Sequence, residues 1–230
     1  MNKANISEVF RSVQGEGKYL GVSQVFVRFF ECNMHCVWCD TPHSIGDTSK
    51  RFKEYSLDEL WEKISSLFTD CHSVSLTGGE PLMQTDFIKD LLPRFKDRKM
   101  PVYLETNGIF HKELSQIVDD IDIIAMDLKL PSSTQCQSYW EEHKKFLETA
   151  SQTEVFVKTV VSSSTSFEDI LKSMELVAES NPEILYILQP NFFDMNNGVI
   201  NQCLQYQKQH VNRLKDIRII PQTHKFMKLR

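Results

Sequence analysis

Short runs rich in β-branched and aromatic residues alternate with amphipathic helical patterns along most of the chain. This alternation constrains the fold more than any other feature. Strand candidates span 24–30, 73–77, 102–105, 121–127, 154–161, 184–189 and 217–220. Between the first two, Ser56 and Glu59 form a capping box for a helix that lines Leu57, Leu60, Trp61, Ile64, Leu67 and Phe68 along one face. Further helices fit 86–95, 112–118, 167–178 and 201–214. Strands that alternate with helices pair in parallel through right-handed crossovers, so an α/β fold is expected. No repeat, low-complexity stretch or linker divides the 230 residues, which read as one domain, 1–230. Two polar intervals, 40–55 and 131–153, stand outside the alternation. The second holds a helical stretch around 139–147, and each interval reads as a lid or a solvated connection.

Chemistry-bearing residues gather where these strands end, which in a parallel barrel is the active face. The first predicted strand runs into Phe30-Glu31-Cys32-Asn33-Met34-His35-Cys36-Val37-Trp38-Cys39-Asp40-Thr41, with its cysteines four and three residues apart. Three is the wrong number for most cysteine sites. A disulfide takes two thiols, a closed zinc site four ligands, and an electron-carrying 4Fe–4S cluster four cysteines. Three thiolates would leave one iron with an open position. A zinc site completed by His35 or His43 is the competing reading. Its spacing departs from zinc fingers and ribbons, and so short a loop wrapped round one ion would be strained. Cys71, Cys136 and Cys203 are scattered and read as ordinary core or surface residues.

Thr77-Gly78-Gly79-Glu80-Pro81 follows the second predicted strand, Glu105-Thr106-Asn107-Gly108 the third, Asp127-Leu128-Lys129 the fourth and Gln189-Pro190 the sixth. Paired glycines after a strand let backbone approach a ligand closely or adopt positive φ, although alone they also mark a common turn. Ahead of the first predicted strand, Val13-Gln14-Gly15-Glu16-Gly17 presents Gln14 and Glu16 on a glycine-flanked loop that is either solvated or hydrogen-bonded to a heterocycle. Arg28 interrupts Val25-Phe26-Val27-Arg28-Phe29-Phe30, a run that reads as a strand covered on both faces. A guanidinium there needs a partner, and a structural carboxylate and a substrate carboxylate both satisfy it.

The net charge of −5 argues against a nucleic-acid surface. Apolar runs fall short of the roughly 20 residues of a membrane span. Clustered cysteines without a signal-peptide pattern at the N-terminus predict a reducing cytoplasm.

The Cys-x3-Cys-x2-Cys spacing closely resembles the radical S-adenosylmethionine (SAM) superfamily. Ser-Val-Gln-Gly-Glu-Gly, Val-Arg, Cys-Asn-x-x-Cys-x-Trp-Cys-Asp-Thr, Thr-Gly-Gly-Glu-Pro-Leu, Glu-Thr-Asn-Gly and a late Gln-x-His-Lys narrow the resemblance to 7-carboxy-7-deazaguanine synthases over about 7–225. The resemblance implies conversion of 6-carboxy-5,6,7,8-tetrahydropterin to 7-carboxy-7-deazaguanine with loss of ammonia, in deazapurine (queuosine-type) biosynthesis. It implies a partial, open (β/α) barrel with reduced helical content, a homodimer, and a flavodoxin- or ferredoxin-type electron donor. It further implies a 4Fe–4S cluster on Cys32, Cys36 and Cys39, with SAM against Trp38, Asp40, Gly79, Glu80, Lys129 and Gln189. Val13, Gln14, Gly15, Glu16, Arg28, Thr77, His224 and Arg230 match substrate positions, and Thr41 a Mg²⁺ ligand. Glu31 stands where the resemblance expects glycine. The alternative within the superfamily is an activase that installs a glycyl radical on a partner enzyme.

Overall fold

The computed structural model describes residues 3–45, 51–210 and 213–229. Its centre is one mixed sheet of nine strands: β1 (Lys3–Val13), β2 (Ser23–Phe29), β3 (Lys53–Ser56), β4 (Ser73–Gly78), β5 (Val102–Thr106), β6 (Ile123–Asp127), β7 (Glu154–Val161), β8 (Tyr186–Pro190) and β9 (Ile217–Ile219). The order is β3-β1-β2-β4-β5-β6-β7-β8-β9, so β3 and β9 form open edges. From β2 to β9 every neighbouring pair is parallel, whereas β1 pairs antiparallel with both β2 and β3. The helices are α1 (Leu57–Leu67), α2 (Thr85–Asp97), α3 (His111–Leu114), α4 (Pro131–Thr134), α5 (Trp140–Ala150), α6 (Phe167–Ser180), α7 (Val199–His210) and α8 (Thr223–Met227).

Each parallel-strand element expected from sequence is present. The two N-terminal antiparallel strands are additions. The first was illegible because a register shift between Ile6 and Glu8 breaks the two-residue alternation that would reveal β1. The second, β3, overlaps the end of the interval 40–55 that reads as irregular. The cysteine loop therefore follows β2. The helix expected over 112–118 shrinks to α3 and a 3-10 turn at Val118–Asp120. The capping box of α1 is formed, with Glu59 N–H donating to Ser56 Oγ at 3.3 Å and Ser56 N–H to Glu59 Oε2 at 2.9 Å.

Strand side chains alternate between the two faces of the sheet, and the faces have different fates. One face packs Val25, Val27 and Phe29, Leu76, Leu104, Ile124 and Met126, Val157 and Leu188 under the helices, where Leu60, Phe87, Leu91, Phe95, Phe146, Ile170 and Met174 meet them. The other face carries Tyr103, Ile123, Ala125, Phe156 and Ile187 as a smaller apolar layer. Two residues further along the same strands and the same face stand Glu105, Asp127, Lys158 and Gln189, with Arg28 and Thr77 on the neighbouring strands. The inner face is thus apolar near the starts of its strands and polar at their C-terminal ends.

The loop before the cysteines is strained at one point. Glu31 has φ of 79°, a left-handed conformation that a residue with a Cβ adopts at a cost. The conformation lets Glu31 N–H donate to Ser44 O at 2.8 Å while Glu31 O accepts from Glu80 N–H at 2.8 Å. Glu31→Gly should stabilise the fold by about 1 kcal/mol or less, the left-handed penalty minus the entropy that glycine regains in the unfolded chain. Thermal unfolding checks this, and a lower melting temperature would mean that the Glu31 side chain contributes more than its backbone costs.

Candidate active site

A cleft opens at the C-terminal ends of the parallel strands, where the cysteine loop, the N-terminal loop and the last residues of the chain converge. Cys32 and Cys36 line it together with Trp38, Asp40, Thr41, Gly79, Lys129 and Gln189. Val13, Gln14, Gly15, Glu16, Arg28, Thr77 and His224 line the same cleft. Of the residues expected from sequence, Cys39 is not part of the lining, but its Sγ lies 3.9 Å from Oγ1 of the lining residue Thr41. Glu80 does not face the cleft. It is fully buried, and its carboxylate accepts from Leu82 N–H at 3.0 Å, Asn107 N–H at 2.8 Å and Thr106 Oγ1 at 2.9 Å, tying β4 to β5. Burial pushes its carboxyl up to about 7 against those donors. Arg230 lies outside the described residues.

The cysteine loop is held by α4 and by the loop after β5. Val37 N–H donates to Thr134 O at 3.1 Å, Trp38 Nε1 to Ser133 O at 2.7 Å, and Asn107 Nδ2 to Asn33 Oδ1 at 2.7 Å. Asn107 is in turn anchored by the buried His143, whose Nε2 lies 3.1 Å from Asn107 O and whose burial lowers its pKa to about 4. His143 is therefore neutral at physiological pH, with Nε2 as the donor.

All three thiols are half-buried and none is in a disulfide. Burial pushes Cys32 and Cys36 up to about 11 and about 12, so iron loading must displace their protons. The arrangement fits a multinuclear cluster better than a single ion. Among the described residues, no histidine or carboxylate groups with the three thiols as the fourth ligand of a closed zinc site. Beside them Gly79 presses against the cysteine loop: a Cβ there would lie 1.9 Å from Glu31 O. Gly78, at φ of 138°, would place a Cβ 2.3 Å from Phe29 O. Only two glycines let β4 turn this close to the cysteine loop. Lys129 lies 4.8 Å from the Trp38 ring centre and 2.8 Å from Asp127 Oδ2. Asp127 Oδ1, Asn107 Oδ1 and Gln189 Oε1 are buried acceptors without a protein partner, on residues that line the cleft. Such orphaned acceptors fit a ligand that brings its own N–H and O–H donors.

Glu105, which sequence reading quoted in a motif but assigned no role, is a hub of the cleft's polar lining. It accepts from Gln14 Nε2 at 2.8 Å, Thr77 Oγ1 at 3.0 Å and Ser75 Oγ at 3.3 Å. Arg28 meets the structural carboxylate. Its Nε donates to Glu8 Oε2 at 3.2 Å, directly across the β1–β2 pair, and its guanidinium carbon lies 6.0 Å from the Phe10 ring centre. With β1 unseen, nothing in the sequence marked Glu8.

The chain's last described segment closes the cleft's rim. Thr223 N–H donates to Gly15 O at 2.9 Å, and a Cβ on Gly15 would lie 2.4 Å from His224 Cβ. Gln222 Nε2 donates to Glu16 Oε1 at 2.8 Å and Asp40 Oδ2 at 3.3 Å, while Lys225 pairs with Asp40 Oδ2 at 3.0 Å. Glu16, Asp40 and His224 place one ligand atom each within 4.8 Å, but their oxygens are already shared with Lys158, Gln222 and Lys225. The trio is a charge-balanced network. Burial alone would raise the Glu16 carboxyl; Lys158, His224 and Gln222 instead hold it well below the usual range.

A model of the Radical SAM superfamily matches residues 27–194. The chain is 38% identical to a 7-carboxy-7-deazaguanine synthase of Geobacter sulfurreducens, over 97% of each protein. The chain belongs to the 7-carboxy-7-deazaguanine synthase family. A second member, from Archaeoglobus fulgidus, is 32% identical over 99% of this chain and 100% of its own. The fold is shared with the solved QueE from Escherichia coli, at a TM-score of 0.69 and 21% identity over 96% of this chain and 94% of that one. As in that fold, the sheet is open and mostly parallel. No helix among the described residues is long and apolar enough to cross a membrane.

Proposed function

We infer that this chain is a radical SAM enzyme that converts 6-carboxy-5,6,7,8-tetrahydropterin to 7-carboxy-7-deazaguanine with release of ammonia. The observation that carries the reading is the meeting, in one cleft, of the cysteine loop with a polar pocket built from Gln14, Glu16, Arg28, Thr77 and Glu105. An activase for a partner protein has no use for such a pocket, whose rim the segment around His224 narrows.

When bound, the 4Fe–4S cluster and SAM supply a 5′-deoxyadenosyl radical, the species that takes hydrogen from the substrate. Cys32, Cys36 and Cys39 would hold the cluster, and Trp38, Asp40, Gly79, Lys129 and Gln189 the SAM. The chain's own residues orient and seclude. Gln14 donates through Nε2 to Glu105 Oε1 at 2.8 Å and Gln24 Oε1 at 3.0 Å and accepts from Glu16 N–H at 3.0 Å through Oε1, so it shapes the pocket and leaves one oxygen lone pair for the heterocycle. Arg28, whose Nε donates to Glu8 Oε2 at 3.2 Å, lines the cleft and offers its guanidinium to the substrate carboxylate. Glu80 serves by keeping the Gly78-Gly79 turn in place, since its carboxylate is consumed by β5.

Mg²⁺ belongs to this reading with Thr41 as its hard oxygen donor, a cleft residue one position from Asp40. Thr41→Ala is expected to weaken the Mg²⁺ dependence and to slow product formation more than it slows SAM cleavage without substrate. A wild-type Mg²⁺ response in that variant removes Thr41 from the site. The reading also includes a homodimer and a small flavodoxin- or ferredoxin-type donor, which sedimentation and reduction assays test. The whole reading is tested by anaerobic reconstitution with iron and sulfide, then mass analysis after addition of SAM, reductant, Mg²⁺ and the pterin. A colourless zinc protein, or intact pterin alongside cleaved SAM, would overturn it.

A further inference from the structure

Lys158 interrupts the apolar strand β7 much as Arg28 interrupts β2, yet no motif includes it. Its side chain is 9% exposed and lines the cleft. It lies in register with Asp127 on β6 and donates to Asp127 Oδ2 at 2.9 Å and to Glu16 Oε2 at 2.8 Å. The same Asp127 oxygen holds Lys129 at 2.8 Å. A chain of alternating charges therefore runs from Lys129 beside Trp38, through Asp127 and Lys158, to Glu16 on the N-terminal loop. Removing two charges from water is costly, and such a chain persists only where its geometry is well satisfied.

We infer that Lys158 is a positioning residue for substrate: by clamping Glu16 to Asp127, it aims the Glu16 carboxylate at the N–H donor edge of the bound heterocycle. The inference rests on the functional reading above. Glu16 sits on a loop between β1 and β2, and a loop carboxylate without a clamp samples several rotamers. Lys158 fixes one oxygen, and Gln222 Nε2 at 2.8 Å fixes the other, leaving lone pairs on both for a ligand. A carboxylate held in that way matches the adjacent ring N–H and exocyclic amine of a 2-amino-4-oxo pyrimidine ring. Lys158 needs no contact with substrate to do this. It acts through Glu16, and it joins the loop to the strand that carries Asp127 and leads into Lys129.

The test is steady-state kinetics of the reconstituted holoenzyme with saturating SAM, comparing wild type, Lys158→Met, Glu16→Gln and the double variant. Lys158→Met is expected to raise KM for the pterin roughly tenfold to hundredfold, the scale of a lost charge-assisted hydrogen bond, with a much smaller change in kcat. Combined with Glu16→Gln it should add little, because one residue acts through the other. Lys158→Arg keeps a cation between the two carboxylates and serves if the methionine variant fails to fold. It should restore part of the lost affinity, or, measured alone, raise KM less than Glu16→Gln does. An unmoved KM in a folded Lys158→Met, additive losses in the double variant, or a Lys158→Arg KM raised as far as that of Glu16→Gln would each overturn the inference. Wild-type enzyme that makes no 7-carboxy-7-deazaguanine would instead sink the functional reading, whatever Lys158 does.

Discussion

Replacing any one of Cys32, Cys36 or Cys39 with alanine is expected to abolish SAM cleavage, while Cys203→Ala leaves it intact. The three thiols are half-buried on one short loop at the cleft, whereas Cys203 has no exposed surface and packs into the core from α7. Each loop thiol supplies one of three protein ligands, so the loss of one leaves two, and no neighbouring histidine or carboxylate joins them in a one-ion trio among the described residues. The iron and sulfide content of anaerobically reconstituted protein, with its visible absorbance, reads the cluster directly. Formation of 5′-deoxyadenosine reads SAM cleavage. A Cys203→Ala protein that lost its cluster while Cys36→Ala kept it would reverse the assignment.

Arg28→Lys is expected to raise the KM for the pterin by roughly thirtyfold or more, about 2 kcal/mol, while leaving SAM cleavage without substrate nearly unchanged. The physical reason is a division of labour within one guanidinium. Nε donates to Glu8 Oε2 at 3.2 Å, which orients the group, and the guanidinium fork carries further N–H donors for a carboxylate. An ammonium has no such fork; a lysine that stays with Glu8 turns its charge away from the cleft. Phe10, with Arg28 against its ring and Phe26 stacked at 5.2 Å, adds a wall that lysine cannot lie flat against. Unchanged KM in Arg28→Lys would reduce the residue to the structural partner of Glu8.

Much of the site was legible in the sequence because a parallel sheet brings the C-terminal ends of its strands to one edge. Residues that end successive strands must then be neighbours whatever separates them along the chain, so strand ends put the motifs of Thr77, Gly79, Lys129 and Gln189 beside Cys32, while the part each plays came from the family resemblance. The fold was legible for the same reason wherever a strand alternates cleanly or a helix carries an apolar stripe. It was illegible where the pattern is broken, as at the Ile6–Glu8 irregularity in β1.

By itself, the sequence determined the cysteine spacing, the glycines that admit close backbone approach, the strand-end placement of the polar residues and the family. Only the tertiary structure decided who meets whom. Glu80 and Glu105 sit in equally suggestive strand-end motifs, yet one is buried as a brace between β4 and β5 and the other collects Gln14, Ser75 and Thr77 at the cleft. Lys158 and Glu16 are 142 positions apart, and Gln222 and Glu16 are 206 apart. Local pattern states which face a side chain takes, because that depends on the period of its own strand or helix. It cannot state which charge waits opposite, because a buried ion pair is set by the register between strands and the path of the loops that cross them.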